Sequence, residues 1–180
     1  MAPPRCRAAA YDQGMRATPL LVLAVALGCS GQSSGVAAAP ADVSGRYTVA
    51  VTSRENGCGF PNWTVGNTAE NIPFDVTQTG ADATGTVEGL TGTFLALWLG
   101  TRRFDGSVFG STVTMTARGT NPQLDAGCRF TVDATIDGTL TGNALQGTIR
   151  YAAQTSGGPE CAAKIGCAST QEFSGSRPPR

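Results

Sequence analysis

The strongest constraint on the fold lies in residues 128–153, CRFTVDATIDGTLTGNALQGTIRYAA. Taking Gly142-Asn143 as a two-residue loop sets Leu140 opposite Leu145, Gly138 opposite Gly147, Ile136 opposite Ile149 and Ala134 opposite Tyr151. The intervening pairs, Thr139 with Gln146, Asp137 with Thr148 and Thr135 with Arg150, are polar. One face of this hairpin is therefore dry and the other wet, and a slip of one residue would exchange them.

The same logic recurs twice. With Gly80-Ala81 as loop, Val76 meets Gly85, Phe74 meets Val87 and Ile72 meets Gly89, while Asp75 meets Thr86 on the wet face. Pro73 cannot donate to a ladder and is expected at the start of its strand. With Gly110-Ser111 as loop, Val108 meets Val113, Gly106 meets Met115 and Phe104 meets Ala117, with Asp105 facing Thr116 outside. A first strand is read at 45–53, where Tyr47, Val49 and Val51 share a face, and a last at 169–175 with Phe173 inward. Residues 93–100, TFLALWLG, are apolar without alternation, and periodicity leaves strand and helix both open there.

Eight strands joined by short turns alternating with long connections predict an all-β fold, an eight-stranded up-and-down antiparallel barrel. A two-sheet β-sandwich of the same hairpins is the alternative. The outward positions carry Thr, Asp, Arg and Gln, so the barrel is not of the membrane-spanning kind, whose outer face is apolar. The tight turns must share one end with both termini. Connections 54–70, 91–102, 119–127 and 154–168 then gather at the other end, with Trp63 and the run from Phe94 to Leu99.

Ahead of this domain, Arg16 precedes a short apolar run, Leu20 to Leu27, that ends in small residues at Cys29. This is the pattern of a signal peptide over 1–28, too short to span a bilayer. Residues 1–14 fit no part of such a signal, which places the expected start at Met15. Ala26-Leu27-Gly28-Cys29 resembles the lipobox of bacterial lipoproteins, which implies export and lipidation of Cys29 as the anchor to a membrane. Ser30 after that cysteine resembles the sorting signal for the outer membrane of the cell envelope. An ordinary secretory signal with Cys29 incidental remains the alternative. Residues 29–42, small and polar, read as a flexible tether, 43–176 as one barrel domain and 177–180 as a tail.

Composition narrows the chemistry. Thirteen basic residues balance thirteen acidic ones and the arginines are scattered, which argues against nucleic acid as a partner. There is no histidine. Apart from Cys6 and Cys29, the cysteines are Cys58, Cys128, Cys161 and Cys167, an even set without CxxC spacing. Two disulfides are expected rather than a metal site, and no cofactor. Adjacency around a closed barrel favours Cys58 with Cys167 and Cys128 with Cys161. The rival pairs Cys161 with Cys167 and Cys58 with Cys128.

The layout resembles the calycin group, the lipocalins and avidins, whose small barrels bind apolar or ring-bearing ligands at the open end. Where lipocalin first strands carry Gly-x-Trp, this chain has Gly45-Arg46-Tyr47, and no binding residue carries over. No catalytic constellation is found, and the expectation is a protein that is not an enzyme. Two functional classes remain. One is a binding module for a small apolar ligand, with Trp63, Phe94, Trp98, Phe104, Met115 and Tyr151 as its candidate contacts or rim. The other is a surface lipoprotein that contacts an envelope protein through Trp63 and the 94–99 run, with no cavity. Small inward residues such as Gly106, Ala117, Ala134 and Gly147 either leave room for a ligand or make room for neighbouring rings.

Overall fold

The structure, a computed structural model, describes residues 38–179. The expected signal peptide, Cys29 and the expected tether up to residue 37 lie outside the described residues. Eight long strands close a barrel in chain order: β1 (Gly45–Asn56), β2 (Thr68–Thr79), β3 (Asp82–Val87), β4 (Arg103–Phe109), β5 (Thr112–Ala117), β7 (Cys128–Thr141), β8 (Ala144–Thr155) and β9 (Ala168–Ser176). Each pairs antiparallel with the next, and β1 pairs with β9 to complete the ring. The extra strand, β6 (Gln123–Asp125), is a short flap that pairs only with the start of β7. The barrel thus replaces the sandwich alternative.

The three hairpin registers follow the alternation read from sequence. Leu140 faces Leu145, Gly138 faces Gly147, Ile136 faces Ile149 and Ala134 faces Tyr151. Val76 faces Gly85, Phe74 faces Val87, Val108 faces Val113 and Gly106 faces Met115. Gly80, Gly110 and Gly142 each open their loop with φ between 56° and 61°, a conformation that glycine adopts without strain.

Two local readings are corrected and one open one is resolved. The Ile72–Gly89 pair does not form, because β3 stops at Val87 and Gly89, at φ 68°, starts a helix instead. Pro73 is not at a strand start: it lies inside β2 opposite Thr48, just beyond a bulge where Asn71 takes φ 57°. The bulge already interrupts the β1–β2 ladder there, and the Pro73 carbonyl still accepts from the Glu88 N–H at 2.8 Å. The ambiguous run 93–100 is helical, in α1 (Gly89–Leu99).

The core fills the tight-turn end. Tyr47, Val43, Val113, Met115 and Leu145 are essentially sealed from solvent, each worth roughly 1.5–3 kcal/mol for full burial. Small inward residues there accommodate rings and backbone. A Cβ on Gly85 would stand 2.3 Å from Phe74 Cζ, and one on Gly147 would stand 2.0 Å from the Asp137 carbonyl oxygen. Across the bottom, Tyr47 Oη donates to the Val43 carbonyl at 2.9 Å. The Arg177 guanidinium lies 5.6 Å from the Tyr47 ring centroid, donates to the Asp42 carbonyl at 2.8 Å and reaches that of Ser44. The chain joins this closed end before β1, with the Ala41 N–H donating to Gly110 O at 2.7 Å. Among the described residues no helix is long and apolar enough to cross a membrane.

Candidate binding mouth

The other end is roofed by α1. Its sequence, GLTGTFLALWL, is apolar on every side and carries no charge, so packing rather than amphipathic periodicity decides its orientation. Gly92 lets the helix lie against the end of β3: a Cβ there would stand 2.1 Å from the Val87 carbonyl oxygen. At its C-terminus Gly100, at φ 87°, caps onto Ala96 O at 2.9 Å. The remaining carbonyls are satisfied from the segment before β6. Thr120 and Asn121 N–H groups donate to Leu99 O, the Asn121 side chain to Leu97 O, and Gln123 Nε2 to Trp98 O at 3.0 Å. Leu95, Trp98 and Leu99 turn toward the barrel, while Leu90, Phe94 and Leu97 remain 61–71% exposed.

Both disulfides lie at this end and join Cys58 to Cys167 and Cys128 to Cys161, with Cα separations of 5.0 and 4.8 Å. This is the pairing that strand adjacency favours. The first holds the loop after β1 to the start of β9; the second holds the start of β7 to the 3-10 turn at Pro159–Cys161.

Between them stands a cluster of rings. Phe60 meets Trp98 edge-on at 5.2 Å, Trp63 meets Tyr151 edge-on at 5.7 Å, and Trp98 lies 5.3 Å from Tyr151. Such pairs favour a fixed arrangement beyond their area burial. Trp63 Nε1 donates to Arg54 O at 3.1 Å, and Asn56 holds Phe60 by two hydrogen bonds of 2.9 Å. The rings border an open groove of about 720 Å3. Beneath it lies a second, apolar cavity of about 140 Å3, walled by Val49, Ile72, Phe74, Phe104, Ile149 and Phe173. Val51, Leu95, Tyr151 and Gln171 are among the residues that line both spaces, a shared wall that makes a neck where the two approach each other.

The neck has a polar thread. Tyr151 Oη donates to Gln171 Oε1 at 2.8 Å, and Gln171 Nε2 donates to Ser53 Oγ at 3.2 Å. Burial pushes the Tyr151 phenol pKa far above its usual range. Tyr151 therefore enters this site as a neutral hydrogen-bonding group.

Comparison with known proteins finds no matching family model, curated protein or solved structure. The geometry of the barrel itself is calycin-like, closed at one end and loop-rich at the other.

The six residues singled out from sequence divide by place. Trp63, Trp98 and Phe94 border the groove, with Phe94 facing largely outward; Tyr151 stands at the neck; Phe104 walls the inner cavity. Met115 borders neither space and packs beside Gly85 in the core. Sequence reasoning missed Phe60 and Gln171, and took Leu95 only as part of the 94–99 run. It also missed Lys164, whose side chain is 7% exposed and whose Nζ donates to Cys58 O at 2.7 Å and pairs with Asp125 at 2.8 Å. Phe60 follows Cys58 by two residues, and that proximity to a disulfide was the one available signal for it. Gln171 sits on β9 among Ser, Thr and Glu, with nothing local to mark it.

Proposed function

We propose that the protein is exported, anchored by a lipid on Cys29, and takes up a small apolar ligand through the loop-rich mouth of the barrel. The observation that carries this reading is that the ring-bordered groove and the apolar cavity share a wall, in which Val51, Leu95, Tyr151 and Gln171 line both. A dry cavity of about 150 Å3 holds a benzene-sized molecule, so the inner space suits one ring or a short branched chain. The groove then holds the remainder of the ligand. Two disulfides fit passage through an oxidising compartment. Because the chain enters at the closed end, an anchor upstream would leave the mouth facing away from the membrane, the outer membrane on the sorting resemblance. The activity is binding, with no catalytic step.

A second reading, a protein-interaction module, is favoured by the exposed outer face of α1, where Leu90, Phe94 and Leu97 stand together. Purified protein carrying Cys29→Ser, extracted and analysed by mass spectrometry, separates the two. Co-purifying small apolar molecules at near one-to-one ratio support the ligand reading; their absence, with a stoichiometric protein bound instead, supports the second. Labelling with a fatty-acid analogue tests the anchor, since wild type should be marked and Cys29→Ser should not.

A further inference from the structure

Lys164 is the one buried charged side chain among the described residues. It lies in the wall of the groove, where its Nζ is 5.3 Å from the Phe130 ring centroid and 5.8 Å from that of Phe60. Among the described residues the other charged one bordering the groove is Asp125, at the tip of the β6–β7 hairpin, with its side chain 51% exposed. The two-residue loop at that tip, Ala126-Gly127, has φ 47° and 85° and fixes where Asp125 stands.

Tying the loop together is a costly use of a buried cation. Removing an ammonium from water costs several kcal/mol, and a pair with a half-exposed carboxylate returns little of it. An ammonium also has three N–H donors, of which Cys58 O and Asp125 occupy two. Beyond these two contacts the ammonium faces the Phe60 and Phe130 rings, an aromatic, partly desolvated setting in which a charge-assisted hydrogen bond to an incoming acceptor is strong.

Resting on the binding function proposed above, we infer that the ligand is an amphipathic acid: an apolar ring or chain enters the inner cavity while its carboxylate binds Lys164. Asp125 occupies part of that anion position when no ligand is present. The acid joins Asp125 on the ammonium or displaces it toward solvent, which its exposed position allows. Specificity for an acid over a neutral molecule of the same shape then comes from Lys164 alone, because the rest of the groove and the cavity wall offer no other cation.

The test compares octanoate with 1-octanol by calorimetry, using the full chain carrying Cys29→Ser. Octanoate should bind at least about tenfold more tightly, the scale of one charge-assisted hydrogen bond. Lys164→Met should remove that preference, weakening octanoate about tenfold and octanol much less. Asp125→Asn, at an exposed position that tolerates substitution, should tighten octanoate several-fold and change octanol much less, so the inference stays testable even where Lys164→Met fails to fold. Equal affinities for acid and alcohol in wild type, or octanoate binding weakened by Asp125→Asn, would overturn the assignment of the head group while leaving the cavity reading intact. Binding of neither probe would overturn both.

Discussion

The two ends of this barrel are built from the same strands yet differ in what fills them. At the closed end the side chains meet: Tyr47, Val113 and Leu145 interlock, and Arg177 lies across the bottom from the far end of the chain. At the mouth the strands diverge into long connections, and the space is spanned by α1 and four aromatic rings that leave a groove and a cavity. The closed end is stabilised by non-directional burial along regular strands. The mouth relies on covalent and directional ties: two disulfides, the capped carbonyls of α1 and the Lys164 contacts. Stability is thus concentrated where there is no site, and the site is assembled where regular packing has stopped.

The sharpest way to break this contrast is a charge in the closed end. Val113→Asp places an unpaired carboxylate in a fully buried position opposite Val108 and Gly138. It should cost about 5 kcal/mol, enough to unfold a domain of this size. Thr139→Lys, exposed on the wet face of the neighbouring strand, should leave Tm nearly unchanged. Similar melting of the two variants would remove the basis for a packed closed end.

Next in size are the disulfides. Cys58–Cys167 closes a separation of 109 residues and Cys128–Cys161 one of 33. Chain entropy gives losses of about 5 and about 4 kcal/mol on replacing each pair by alanine. Denaturant melts should order them so. Hydrogen exchange should quicken first around the mouth and last in the 138–147 hairpin; uniform quickening would show that the two ends are not independent.

At the closed end, Arg177→Ala removes a cation–π contact and hydrogen bonds to two backbone carbonyls. It should cost about 2 kcal/mol and leave ligand affinity as it was. A loss of affinity equal to that of a mouth variant would contradict the separation of roles.

The smallest effect is on titration. Burial raises the pKa of both Tyr47 and Tyr151, but the Arg177 charge partly offsets the rise at Tyr47, and no such cation offsets it at Tyr151. Both phenols are raised in the folded state. The stability they contribute is complete below about pH 10, the ordinary tyrosine value, and is lost as the pH climbs beyond it. In an ultraviolet titration Tyr47 should ionise before Tyr151, and Arg177→Ala should bring the two closer together. The reverse order would place the desolvated phenol at the wrong end.

How much of this is legible in the chain follows the same division. The register of residues 128–153 can be read because a Gly-X loop and a strict two-residue alternation each fix it independently. Disulfide pairing follows from strand order once the barrel is granted. The mouth lacks such redundancy. In α1 the apolar residues lie on all sides, so neither its helicity nor its exposed face has a periodic signature. The β6–β7 hairpin is three residues deep and turns on Ala126 in a left-handed conformation, which the sequence does not advertise. Lys164 in a loop reads as a solvated charge, and its burial depends on Phe60, Phe130 and Cys58 arriving from distant segments. Arg177 likewise reads as part of a tail, and only closure of the barrel brings it under Tyr47.

The central claim is that the mouth leads into a ligand-holding cavity, and the neck offers the most direct access to it. Titration of the full chain carrying Cys29→Ser with the apolar fluorophore N-phenyl-1-naphthylamine should give saturable one-to-one binding. The same protein with Val51→Trp, a ring placed in the wall that groove and cavity share, should melt near wild type and bind the fluorophore at least about tenfold more weakly, an energy of roughly 1.4 kcal/mol or more. Equal binding by the two proteins, or no saturable binding by either, would contradict it.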